Sequence, residues 1–356
     1  MNKTMKKLSQ LCAGVLCTAL LSACGVQGSY DSTAQLREEI ESADLSDPRA
    51  ISGVTDVGAF DDVQPVSSKV NPALPVELTD ADGYDVVVND VSRILALDIY
   101  GTYSKTLTGL GLADNIVGRS VSSTENILSD RPVVTEGGHN INVEAVLSLE
   151  PTLFIVDHSI GPRDAIDQIR AAGVTTVVME PERTIDSVAK DIITLSQVVG
   201  LVDEGQKLAD RSEEEIALAR ETIKNIVPDD PMRMAFLYTR GTGGIFFIMG
   251  EGTGAKDLIE GVGGIDLAAE NNLAYAEPAN AESLARINPE IFIMMTDGLK
   301  STGGLEGLLE RPGVVQTTAG QKPRIVTIPD GQSLAFGPMT GQTLLRLAQA
   351  IYDPQS

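Results

Sequence analysis

The sequence predicts an α/β protein of two Rossmann-like lobes joined by a single long helix. Three observations carry that expectation. One stretch has helical composition over its whole length, a plan of strands and helices recurs 140 positions later, and the strands read as short continuous apolar runs.

The stretch from Asp203 to Val227 is rich in Ala, Leu, Glu, Lys and Arg and meets no proline before Pro228. Leu208, Ile216, Ala219, Ile223 and Ile226 are apolar points along a charged rod, too sparse for a buried core helix. Such a rod would run roughly 35–40 Å. With α/β sequence on both sides it is expected to be a strut between lobes, largely in water.

The repeat supplies the lobes. Arg93-Ile-Leu-Ala-Leu-Asp98-Ile-Tyr100-Gly101 matches Arg233-Met-Ala-Phe-Leu-Tyr238-Thr-Arg240-Gly241. Lys105 through Gly111 lines up with Asp257 through Gly263, the second copy carrying an inserted strand at 245–249. Asn142 through Pro151 matches Asn280 through Pro289, and apolar runs follow at 153–156 and 291–294. Three matches in one order describe a duplicated α/β plan. Apolar runs of this kind suit a parallel sheet buried on both faces. Before the first copy, residues 76–80 and 85–89 alternate across Asp82-Gly83 and predict a hairpin.

Composition bounds the partners. With 356 residues and 42% hydrophobic content there is enough chain for two lobes, of about 100–150 residues each. A net charge of -23 argues against nucleic acid. The absence of Trp argues against cavities that stack sugars or bases. Lys3, Lys6 and Lys7 precede an apolar run from Leu11 to Leu21, and Leu21-Ser22-Ala23-Cys24 follows. This is a secretory signal. It resembles the lipobox of bacterial lipoproteins, which implies a lipidated Cys24 and a membrane-anchored mature chain. The expected layout is a signal peptide over 1–23, an acidic tether over 24–75 with a short helix at 33–42, a first lobe over 76–184, an inter-lobe helical region over 185–228, and a second lobe over 229–356.

In open α/β sheets ligands sit beyond the carboxyl ends of the strands, and that rule selects the candidates. The first half offers Asp98 and Tyr100, His139 behind two glycines, and Asp157 and His158. The second offers Tyr238 and Arg240, Tyr275, and Met294 and Met295. The chain has only two histidines. The repeat puts His139 and Tyr275 on equivalent loops of opposite lobes. Tyr238 and Arg240 are two apart and project on one side of a strand. A guanidinium beside a phenol favours the phenolate, a hard ligand for ferric iron.

Residues 76–352 resemble the bilobal substrate-binding lipoproteins of cobalamin, siderophore and haem ABC importers, the class III type of periplasmic binding protein, and more narrowly the HmuT haem-binding proteins of actinobacteria. The motifs that carry this are Glu136-Gly-Gly-His139 and Tyr238-Thr-Arg240. The resemblance implies that His139 and Tyr238 ligate haem iron from opposite lobes, that Arg240 supports the phenolate, and that Tyr275 and Met295 line the cleft. It further implies an ABC permease as partner, a monomer without enzymatic activity, and a place on the outer face of a Gram-positive cell membrane. Relatives carry a permease-docking Glu on each lobe, and here those positions hold Lys105 and Asp257. Glu125 or Glu260 are the substitutes to consider, and His158 or Tyr100 could contribute to the haem site.

The rivals are a ferric siderophore or cobalamin binder of the same class, a metal-dependent enzyme, and an adhesive surface lipoprotein. Siderophore and cobalamin sites lean on Trp, which is missing. A zinc cage would need a third histidine. The sequence holds no Gly-x-Ser-x-Gly elbow, Walker loop or His-Glu-x-x-His.

Overall fold

The computed structural model describes residues 33–353 apart from 44 and 46. The leader and Cys24 lie outside the described residues. After the expected short helix, α1 (Ala34–Ser42), the chain adds a strand, β1 (Gly53–Asp56), that pairs in parallel with residues 324–327. Arg49 forks onto Glu290 at 2.7 and 3.1 Å, and Lys322 Nζ reaches the carbonyl of Ala50 at 2.8 Å. Asp62 then accepts the N–H groups of Asn126 and Ile127, Val66 N–H bonds Gly109, and Ala73 N–H bonds Gly200. Residues 47–75 of the expected tether over 24–75 are therefore part of the fold and cross from one sheet to the other. A four-residue strand alternating between half-buried and exposed has no signal of its own, because its partner lies some 270 positions away.

The first sheet follows. β2 (Val76–Thr79) and β3 (Asp85–Val88) form the expected hairpin, Val76 opposite Val88. The chain continues through β4 (Ile94–Leu97), α2 (Thr102–Gly109), β5 (Ile116–Gly118), β6 (Thr135–Glu136), β7 (Asn140–Ile141), α3 (Val143–Ser148), β8 (Leu153–Asp157), α4 (Arg163–Ala171) and β9 (Thr175–Met179). β5, β4, β8 and β9 lie side by side and parallel. Every residue of β4 and β8 is buried, which is why β4 and residues 153–156 of β8 are unbroken apolar runs.

Two helices lead out. α5 (Val188–Val198) is followed by α6 (Val202–Lys224), the predicted long helix. It is less a rod in water than its composition suggests. Gly205, Leu208, Ala209, Ser212, Ile216, Ala219 and Ile223 form a buried stripe at three- and four-residue spacing. Small residues interrupt it, and at Gly205 α5 comes close: a Cβ there would lie 1.9 Å from Ser196 Oγ.

The second sheet repeats the plan through β10 (Arg233–Arg240), β11 (Ile245–Met249), α7 (Ala255–Gly261), β12 (Ile265–Asp266), α8 (Leu267–Glu270), β13 (Ala276–Pro278), α9 (Ala281–Ile287), β14 (Ile291–Met295), α10 (Thr296–Ser301), α11 (Gly304–Leu309), α12 (Thr318–Gln321), β15 (Arg324–Ile328), α13 (Asp330–Ser333) and α14 (Thr340–Tyr352). Its order is β1-β15-β14-β10-β11-β13, with β12 also on β10. β10, β14 and β15 are parallel, and the inserted β11 runs antiparallel to β10. One buried cluster runs from Ile94 and Leu107, through Leu208 and Ile216 on α6, to Phe236 and Leu344. The two lobes thus share a core, while Phe154 and Phe292 belong to separate clusters, one in each lobe.

Candidate functional site

On the first lobe the site begins where β4 ends. Asp98 is fully buried and accepts the Thr102 N–H at 3.0 Å. Gly101 makes this turn with φ +72°, and a Cβ there would sit 2.4 Å from the Ser122 carbonyl oxygen. The Tyr103 hydroxyl donates to Asp157 at 2.6 Å. Arg183 pairs with the same Asp157, lies 3.9 Å from Asp98, and covers the Tyr100 ring at 4.8 Å from its centroid. Burial pushes the Tyr100 hydroxyl above its usual range, with Arg183 opposing and Asp98 reinforcing. Ile99 and Val121, at the carboxyl ends of β4 and β5, leave apolar surface exposed.

His139 sits at the tip of the β6–β7 hairpin, exposed, behind Gly137 (φ +58°) and Gly138 (φ +88°). Its Nδ1 is 3.2 Å from the Gly137 carbonyl. Its backbone is better anchored, because Gly161 N–H donates to the His139 carbonyl at 2.9 Å. Below it, Asn142 caps α3 and bonds Glu136 at 2.7 Å. His158 is committed elsewhere. Its Nε2 meets Asp82 at 2.9 Å in the β2–β3 turn, where Arg163 also binds at 2.8 Å. Burial would raise the Asp82 carboxyl, but the His158 bond and the charges of His158, Arg163 and Arg170 hold it below its usual value.

On the second lobe, Tyr238 and Arg240 do project together. The guanidinium lies 4.9 Å from the centroid of the half-buried Tyr238 ring. Arg240 Nη2 is 3.3 Å from Met295 Sδ and forms an ion pair with Asp330, while Nη1 donates to Thr239 at 3.3 Å. Asp330 is itself held by the Asp297 N–H at 3.0 Å. Met294 is fully buried and Met295 half-buried, so Met295 is the one on the site. Tyr275 stands apart. It is 74% exposed, with its ring beside Gly252 rather than against Tyr238.

The structure therefore gathers Tyr238, Arg240, Met295 and Asp330 on one floor, and Tyr100, Arg183, Asp98 and Asp157 on the other. Arg183 and Asp330 escaped sequence reading because each lies far along the chain from its partner. Two cavities flank these floors, and neither is lined by His139 or Tyr238. The second, about 220 Å³, contains Lys105 and Glu125.

Glu125, considered as a docking acid, is not on the surface. Lys105 is 1% exposed, its Nζ on the Gly101 carbonyl at 3.1 Å, and Glu125 is 6% exposed. Both are withdrawn from the surface and line that cavity together with residues 59–63 and Gln332. Asp257 is partly buried and accepts the Ile185 N–H, and its burial raises the carboxyl above its usual value. Glu260 remains on the rim of a groove with Arg220 and Lys224.

The family described as periplasmic binding protein matches residues 99–331. The chain is similar to the haem-binding protein HmuT at 59% identity and a TM-score of 0.86, covering 86% of this chain and 100% of that one. HmuT has also been solved with an arginine, a histidine or a tyrosine replaced by alanine. The periplasmic haem-binding protein RhuT from Roseiflexus sp. RS-1 is 32% identical, with a TM-score of 0.68 over 75% of this chain and 100% of that one. YvrC of Bacillus subtilis (strain 168), an uncharacterized ABC transporter substrate-binding lipoprotein, is 23% identical over 280 residues, 78% of this chain and 86% of that one. The chain belongs to the periplasmic binding protein family.

Proposed function

We propose that this protein captures haem outside the cell and delivers it to an ABC permease, with His139 and Tyr238 as the iron ligands. The observation that carries the reading is the Tyr238 ring seated on the Arg240 guanidinium at the carboxyl end of β10, in a chain 59% identical to a haem-binding protein. A phenolate is a hard anionic donor for ferric iron, and an imidazole from the other lobe completes the axial pair. Met295 lines the same floor, and Ile99 and Val121 offer apolar surface to a porphyrin face. Arg183 and Arg240 are already paired with Asp157 and Asp330. The propionates accordingly point to solvent, and affinity comes from ligation and burial rather than the field of an acidic protein. Tyr275, largely exposed, contacts haem only if its loop swings inward.

The protein is a binding protein and not an enzyme. Among the described residues no helix is long and apolar enough to cross a membrane. Attachment is through lipidated Cys24, on the outer face of a Gram-positive cell membrane, as a monomer. The shared core resists large lobe movements. Release is easier at His139, on a glycine-flanked hairpin tip, than at Tyr238, on a strand paired on both sides.

Hemin titration of the mature protein tests the reading. The wild type is expected to give a shifted Soret band at one equivalent. His139→Ala and Tyr238→Ala should each alter that spectrum and weaken binding by about tenfold or more. An unshifted wild-type spectrum, or one that both substitutions leave alone, refutes the proposal.

A further inference from the structure

The Tyr238 floor contains a carboxylate that haem ligation does not itself require. Asp330 stands at the start of α13, just beyond β15, and its two oxygens have separate tasks. Oδ1 accepts the Asp297 N–H at 3.0 Å, which ties it to the end of β14. Oδ2 takes Arg240 Nη2, which lies on β10, the strand beyond β14. Met295 lies under the same nitrogen at 3.3 Å. Three adjacent strand ends therefore fix one guanidinium. Arg240 has a long side chain with many rotamers, and a rigid partner is what keeps its plane against a ring.

The other lobe builds the same device from different positions. There Arg183 covers Tyr100 at 4.8 Å and is clamped by Asp157 and Asp98. The 140-residue repeat would place Tyr100 opposite Arg240 and Asp98 opposite Tyr238. The two clamps therefore do not correspond residue for residue. A carboxylate holding an arginine over a tyrosine at a strand end was arrived at twice, which points to the arrangement and not to a shared motif.

We propose that Asp330 is a positioning residue for haem ligation, acting through Arg240 to fix the Tyr238 ring. The inference rests on the reading of Tyr238 as an iron ligand. The other charged groups nearby are engaged: Asp297 with Lys300, Asp56 with Thr296 and Thr327, and Arg311 with the carbonyls of Gly241 and Gly243. None of them substitutes for Asp330.

The test loads full-length mature protein with hemin and follows haem loss to excess apomyoglobin, together with the tyrosinate bands in resonance Raman spectra. Asp330→Ala should release haem about tenfold faster and broaden those bands. Asp330→Asn, which keeps an acceptor oxygen, should recover most of the wild-type rate. In an Arg240→Ala background, Asp330→Ala should add less than about twofold. The proposal is overturned if Asp330→Ala leaves rate and bands unchanged, or if its effect is as large without Arg240 as with it. Tyr238→Ala separates the two levels. An unchanged haem spectrum in that variant removes the ligand assignment and this inference with it. A changed one beside a silent Asp330→Ala removes only the role of Asp330.

Discussion

Asp266 shows how much one buried side chain can shape the response to pH. It caps α8 by accepting the N–H groups of Ala268 and Ala269, and burial lifts its carboxyl from 3.8 to about 6. The folded chain then holds this proton more tightly than the unfolded chain does. Stability contributed by the protonated form is present below about pH 4 and is lost as pH rises towards 6. Asp266→Asn keeps a capping oxygen and removes the charge. Urea unfolding at pH 4.5 and 7.5 should show the variant gaining on wild type at the higher pH, by on the order of 1–3 kcal/mol. An identical difference at both pH values contradicts this account. At the same scale, Tyr238 and Arg240 could be recognised in the sequence because a strand projects alternate residues to one side. Asp330, 90 positions from Arg240, had no such local signature.

Among the elements, α6 departs most from its sequence. Its aliphatic residues alone predict a rod in solvent, but helices also pack through small residues that let backbones approach. Gly205 does this against Ser196 of α5, and Gly341 of α14 comes within 2.7 Å of the Glu215 backbone, measured from an added Cβ. Gly205→Val should therefore push α6 from Ser196 and destabilise the fold by about 1–3 kcal/mol. A chemical denaturation curve superimposable on that of wild type counts against the close packing. The β2–β3 hairpin was readable for the opposite reason. Its alternation and its Asp82-Gly83 turn are local, and Gly83 has the φ of +84° that the turn requires.

For the whole molecule, the consequential feature is the N-terminal segment. It pairs with β15 on one sheet, then bonds Asn126 and Gly109 on the other lobe and Gly200 between α5 and α6. The lobes are thus bridged by this segment as well as by α6. Deleting residues 33–57 removes β1 and the Arg49 fork and bares the edge of β15, whose five residues are all buried. Such an edge invites self-association. The deletion should lower Tm by on the order of 5–10 °C and increase light scattering. A monomer with wild-type Tm means that the segment is not part of the fold.

The sequence by itself determined the duplicated α/β plan, the long helix, the hairpin, and the Tyr238–Arg240 and Glu136–His139 motifs. All of these are written in neighbouring residues, as periodicity, turn chemistry or spacing. Only the tertiary structure decided that Lys105 and Glu125 are buried, that His158 belongs to Asp82, that Arg240 answers to Asp330, and that residues 47–75 join both lobes. Each depends on which distant segments come together. Burial and ion pairing are properties of that assembly, and no local pattern of side chains encodes them.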